Sequence, residues 1–203
     1  MDKLLFIRYR KPESIDAGGE QQTNINYHVL CQIFEKENID VIYIHEKQSK
    51  KIILLHAFSI FFYFMKGYYY GLSPKKVSKI ATQGLSYSRV FIDRSIFGII
   101  AKELRNKHYK GKIITFFHNV ESMYFEAKIG KKPWQSMVVD CVTKNDQQAC
   151  NYSDIIIALN ERDQNEIEKR YHRKVDILSP IVFKDQYNQP SYPEGITSAI
   201  PTC

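Results

Sequence analysis

Residues 88–121 read SRVFIDRSIFGIIAKELRNKHYKGKIITFFHNVE, and the alternation within them decides the fold. Arg89–Asp93 is a short apolar run that ends on a carboxylate, which predicts a buried strand. Ile96, Phe97, Ile100 and Leu104 then recur at helical spacing. Lys112–Phe117 is a further short apolar run and reads as the next strand. A strand, a helix and a strand in about thirty residues make a βαβ unit, which requires parallel strands.

The same alternation continues outward. Upstream, Leu4–Tyr9 reads as a strand running into turn chemistry at Pro12, Asp16, Gly18 and Gly19. Ile25, Val29, Leu30, Ile33 and Phe34 follow at helical spacing to about Asn38, and Val41–Ile44 is a second strand. Downstream, Trp134, Met137, Val138, Cys141 and Val142 mark one helix face. Asp154–Leu159 is a fifth strand, Asn160 with Asp163 three residues on predicts a capped helix start, and Val175–Leu178 is a sixth strand. Short apolar strands alternating with helices predict a doubly wound, Rossmann-like parallel sheet covered on both faces. Residues 1–185 are expected to form one such domain. Residues 186–203 are polar, contain three prolines and show no period, so they read as a linker stub or tail.

Composition agrees with this class. The chain has 203 residues, 44% hydrophobic and 25% charged, enough for a substantial core and too apolar for disorder. Its four cysteines have no CxxC spacing and read as reduced thiols of a cytoplasmic protein. The apolar run Leu4–Ile7 meets Arg8 after four residues, too short for a secretory leader. The net charge of +7 is uneven, because residues 47–92 contain no Asp or Glu. That block holds eight basic side chains and ten aromatic ones. Within it, Lys51–Tyr70 is expected to be helical, with His56, Ser59, Tyr63, Lys66 and Tyr70 on one narrow polar stripe. The apolar part, Ile52–Met65, is shorter than the roughly 20 residues of a spanning helix. Either the helix is buried in the domain, or it lies on an anionic membrane surface. In the second case Lys50, Lys51, Phe61, Phe62, Lys66, Lys75 and Lys76 would face the lipid. Nucleic acid is disfavoured, since no RNA-recognition or helix-turn-helix pattern accompanies the charge.

In an open parallel sheet, ligands bind outside the carboxyl ends of the strands, so the residues that follow each strand are the ones to weigh. Gly18 and Gly19 precede a helix, where glycine would let the backbone approach a phosphate; a turn that needs positive φ explains them equally well. There is no GxGxxG and no GxxxxGK[ST], which argues against the usual dinucleotide and P-loop readings. His118, Asn119 and Glu121 leave one strand end together. They could contact hydroxyls or a phosphate, or merely cap the strand and favour the next helix. Asp93 and Arg94 could bind a hydroxyl, or pair with each other. Asn160-Glu161-Arg162-Asp163 reads as a cap. No set of side chains has metal-ligand spacing, and no nucleophile elbow is present.

Four of these features together resemble the N-terminal half of a GT-B-fold glycosyltransferase of the family 4 type, found in bacterial polysaccharide biosynthesis. They are the first strand with Gly18-Gly19 and a helix, the strand ending Val90-Phe91-Ile92-Asp93, the stretch Phe116-Phe117-His118-Asn119-Val120-Glu121, and the run from Asp154 to Ile181. The resemblance implies an acceptor-binding domain facing a second, donor-binding domain. It implies a retaining, metal-independent transfer from a nucleotide-sugar, the co-substrate, to a saccharide or lipid-linked acceptor, with no further cofactor. Gly18 and Gly19 would approach the donor diphosphate, His118 would be the catalytic residue beside the transferred sugar, and Asp93, Arg94, Asn119 and Glu121 would meet the acceptor. The donor motif expected after Ile181 has no counterpart in the 203 residues, so the donor half would have to come in cis or in trans. Such an enzyme would sit at the inner face of the cell membrane. The competing expectation is a non-catalytic α/β module that docks to a membrane or protein through residues 47–80.

Overall fold

A computed structural model describes residues 2–11, 18–45, 62–128 and 133–180. In chain order these form β1 (Leu4–Arg8), α1 (Gly18–Phe34), β2 (Ile39–Tyr43), α2 (Pro74–Gly84), β3 (Arg89–Ile92), α3 (Gly98–Asn106) and β4 (Lys112–Phe117). There follow α4 (Glu121–Lys128), α5 (Pro133–Tyr152), β5 (Ile155–Ala158), α6 (Glu161–Tyr171) and β6 (Ile177–Leu178). Short 3-10 turns at Lys36–Asn38 and Ser95–Phe97 lead into β2 and α3.

The six strands make one sheet in the order β2-β1-β3-β4-β5-β6, and every pair is parallel. β1 is an interior strand, one in from the edge: Leu4 lies beside Ile39 on one side and Arg89 on the other. All five residues of β1 are buried, as a strand covered on both faces must be. Alternate residues feed two cores. Leu4 and Phe6 join Phe91 and Phe116 under Leu30 of α1, with Tyr27 and Phe34 packed alongside. Leu5 and Ile7 join Val90, Ile92 and Ile113 under α2, α3 and Val142 of α5. Phe117, Ile156 and Ala158 extend that second layer to Ile167 and Tyr171 of α6. This division follows from the strand order, because β1 to β2 steps one way and every later crossover steps the other, and right-handed connections then place their helices on opposite faces.

α3 and α5 pack backbone to backbone at one point. Gly98 opens α3 with its Cα against the α5 backbone, where a Cβ would lie 2.6 Å from Ala149 N and still closer to the Asn145 carbonyl. Asn145, itself fully buried, accepts from the Ile99 N–H at 3.0 Å and donates to the Gly67 carbonyl at 2.7 Å, which ties the start of α3 and the 67 turn to α5.

Two expectations change. The helix expected through Tyr70 does not extend that far: 62–65 is helical, but turns follow at 66–67 and 70–71, and Gly67 and Gly71 both have φ of +87°. Residues 51–61 of that helix, including Lys51 and Phe61, lie outside the described residues, as do Lys50 before it and the tail beyond Pro180. The same block also contains α2, which its aromatic and basic composition hid. The Ser73 hydroxyl accepts from the Lys76 N–H, and Pro74 occupies the first turn, an ordinary helix start. The cap on α6 forms as the sequence suggests, with the Asn160 side chain accepting from the Asp163 N–H at 2.8 Å. The three described cysteines, Cys31, Cys141 and Cys150, are free thiols. Burial pushes Cys141 and Cys150 up to about 12.

Candidate site at the carboxyl ends of β1, β3 and β4

The strand order reverses at β1, so the crevice of this sheet opens outside the carboxyl ends of β1 and β3. Asp93 and Arg94 follow β3, His118 and Asn119 follow the neighbouring β4, and Glu121 begins α4. Gly18 and Gly19 begin α1, immediately above β1. Residues dispersed over a hundred positions thus gather at one end of three adjacent strands.

Asp93 is the most enclosed of them, with no solvent exposure. Its Oδ2 accepts from the Thr23 hydroxyl at 2.5 Å and its Oδ1 from Asn26 Nδ2 at 2.9 Å, both on α1. Its own N–H donates to the Ile7 carbonyl at 3.0 Å. The Nε2 of His118 lies 3.4 Å from Oδ2. His118 is also buried, with Phe116 edge-on at 5.0 Å between ring centroids. Neither of its ring nitrogens makes a well-aligned hydrogen bond to the protein. Asn119, one residue on, is exposed.

Arg94 bridges the other side of the crevice. One guanidinium nitrogen lies 3.9 Å from Glu121 Oε1, and another occupies the space above Gly19, where a Cβ would come within 2.8 Å of it. Close approach therefore accounts for Gly19. Among the described glycines, positive φ occurs at Gly67 and Gly71. Arg8, buried at the end of β1, reaches Asn24 at 3.3 Å and Glu20 at 3.6 Å, and Arg10 closes on Glu20 at 2.9 Å. The first turn of α1 is thus held by two arginines through one carboxylate.

Behind Glu121 lies a second buried carboxylate. Asp146, midway along α5, accepts from the Ser122 N–H at 2.9 Å and from the Tyr171 hydroxyl at 3.2 Å. Burial pushes Asp146 up to about 6, against the pull of the Ser122 N–H. Burial likewise pushes Glu121 up to about 7; Arg94 opposes the rise and Asp146 adds to it. Tyr69 is raised well above the usual phenol range, by burial first and by Glu121 second. The crevice therefore combines a fixed carboxylate, a buried imidazole, a guanidinium and a carboxyl that titrates near neutrality. Such a set can accept from and donate to hydroxyl groups, and can hold a proton at Glu121.

Sequence reasoning placed the strand-end residues but missed Thr23, Asn26, Arg8, Ser122, Asp146 and Tyr171. One signal was available: Asn145 and Asp146 interrupt the apolar spacing Cys141, Val142, Ala149, Cys150 on α5. Of the residues expected to face a membrane, Phe62, Lys66 and Lys75 are exposed, whereas Lys76 Nζ donates to the Ile44 carbonyl at 2.5 Å. A separate polar hollow of about 470 Å³ lies at the opposite end, by the amino termini of β4 and β5. Arg105 on its wall is bound to Asp154 at 2.6 Å and to the Tyr109 carbonyl at 2.7 Å, so it acts as a strut between strands. Among the described residues no His, Cys, Asp or Glu cluster is placed to hold a metal ion, and no helix is long and apolar enough to cross a membrane.

The fold and crevice define a Rossmann-like α/β domain with an all-parallel sheet and a switch-point site. No protein-family model and no curated protein matches the chain.

Proposed function

We propose that this chain is the acceptor-side domain of a glycosyltransferase, which moves a sugar from a nucleotide-sugar to a saccharide or lipid-linked acceptor with a donor-binding domain supplied in cis or in trans. The observation that carries the reading is the gathering of Gly19, Arg94, His118 and Glu121 at the switch point, where a doubly wound sheet receives its ligand. Hydroxyl-rich ligands need closely spaced donors and acceptors, and this crevice offers both. In the reading, His118 stands beside the transferred sugar, Gly18, Gly19 and the α1 N-terminus face the donor diphosphate, and Arg94, Asn119 and Glu121 meet acceptor hydroxyls. Asp93, wholly enclosed with both oxygens held by Thr23 and Asn26, backs the site instead of meeting the acceptor. The test combines the chain with a donor-binding half, fused or co-expressed, and follows labelled sugar into lipid or saccharide acceptors. Transfer is expected, and His118→Ala should lower it about 100-fold or more. Undiminished transfer in that variant removes the role given to His118, and no transfer by the wild type with any donor half sinks the reading.

A second reading is favoured by one observation. Phe62, Met65 and Tyr70 are exposed in a stretch that also exposes Lys66, Lys75 and Lys79. Apolar side chains interspersed with lysines suit an anionic lipid surface, each lysine there being worth about 1 kcal/mol. On this reading the domain is peripherally attached to the inner face of the membrane. Co-sedimentation with vesicles rich in acidic lipid should be strong at low salt and weaken at high salt. Failure to pellet at low salt rules the surface out.

A further inference from the structure

We propose that Asp93 is a positioning residue: it sets the orientation and tautomer of His118, so that Nε2 carries the proton and Nδ1 remains an acceptor. The first ground is the fixity of the carboxylate. Asp93 is wholly enclosed, both oxygens accept from α1 through Thr23 and Asn26, and its backbone is bound to β1 at Ile7. Two helix side chains and a neighbouring strand thus hold one carboxylate in place, more support than a cap requires.

The second ground is what that carboxylate faces. His118 Nε2 stands 3.4 Å from Oδ2, and neither ring nitrogen has another well-formed partner in the protein. A buried imidazole gains most by turning a donor toward the nearest acceptor, and the Asp93 Oδ2 that faces it already accepts from the Thr23 hydroxyl. The proton therefore belongs on Nε2. When one ring nitrogen is committed in this way, the other is fixed in the opposite role. Phe116, edge-on at 5.0 Å, bounds the ring on another side. The approach to Asp93 is longer and less aligned than a full hydrogen bond.

This assignment rests on the chain's own geometry; only its consequence for sugar transfer rests on the reading above, and the closing experiment separates the two. Nitrogen-15 NMR of the histidine rings of this chain, recorded at about pH 9, above the ordinary imidazole range, reads the tautomer directly. His118→Gln assigns the signal. In the wild type the Nε2–H form should predominate by about 10:1 or more. Asp93→Asn can offer an amide N–H to Nε2, and the ratio should fall below about 1:1. Thr23→Val keeps the carboxylate and should retain the Nε2–H form, so loss of packing near Asp93 is distinguished from loss of its charge. A wild type with mainly Nδ1–H, a mixture near 1:1, or an Asp93→Asn spectrum unchanged from wild type overturns the proposal. The wild-type spectrum alone decides it if Asp93→Asn does not fold. A wild-type Nε2–H signal together with no sugar transfer would leave the tautomer standing and remove the transferase reading.

Discussion

Gly98→Ala should unfold or severely destabilise the domain, with a loss of about 3 kcal/mol or more. The added methyl would meet backbone rather than side chain, since both Ala149 N and the Asn145 carbonyl belong to the C-terminal half of α5. Neither can rotate away. The helices would have to separate, and that separation would strain the bonds from Asn145 to Ile99 and Gly67 that pin this corner. In a domain of this size each kcal/mol is worth roughly 2–4 °C in Tm. A fall of about 6–12 °C by calorimetry is therefore the minimum expected, with loss of soluble expression as the extreme. Gly19→Ala is the control: there a Cβ meets only the mobile end of Arg94, and stability should change by less than about 1 kcal/mol. Equal effects at the two glycines would show that the α3–α5 contact is not the tight one.

The second large effect is a fall in stability as pH rises. Glu121 and Asp146 are both carboxyls whose folded values, about 7 and about 6, lie above their ordinary ones. Between roughly pH 4 and 7 the folded state therefore holds protons that the unfolded chain has released. With more protons bound in the native state, unfolding free energy decreases with pH across that window and levels off above it. At about 1.4 kcal/mol per pH unit, the part of this effect that falls above pH 5 is worth roughly 3–5 kcal/mol for the two groups together. Denaturant titrations at pH 5 and pH 8 should show the difference, and Glu121→Gln with Asp146→Asn should largely abolish it. A slope of the opposite sign, or one that the double variant keeps, would show that the buried pair does not govern stability in this range.

What the sequence disclosed follows from the range of the interactions involved. Lys112–Phe117 is read to the residue because a strand covered on both faces is mostly apolar, here from Ile113 onward with Thr115 the one polar residue. The site was legible as far as strand ends go: Asp93, His118 and Glu121 sit just after apolar runs, and the topology brings those ends together. Their partners were not legible. Thr23 and Asn26 reach Asp93 across 70 and 67 positions, and no local pattern encodes that reach. α2 was obscured for a different reason. Its capping pair, Ser73-Pro74, is a local signal, but it lies within a block whose charge and aromatic content drew the reading toward a surface.

The place of β1 in the sheet also bears on when the protein can fold. Its partner β2 follows within forty residues, but the strand that completes its other edge, β3, ends only at Ile92. A ribosome adds roughly 5–20 residues per second, so roughly 2–10 s separate the synthesis of Tyr43 from that of Ile92. During that interval the most apolar strand of the nascent chain, LLFIR, has an unpaired edge. Asp93 is the next residue to be made. The crevice is therefore completed only after β1 is paired on both sides, and a chain stalled before that point is the one most in need of a chaperone.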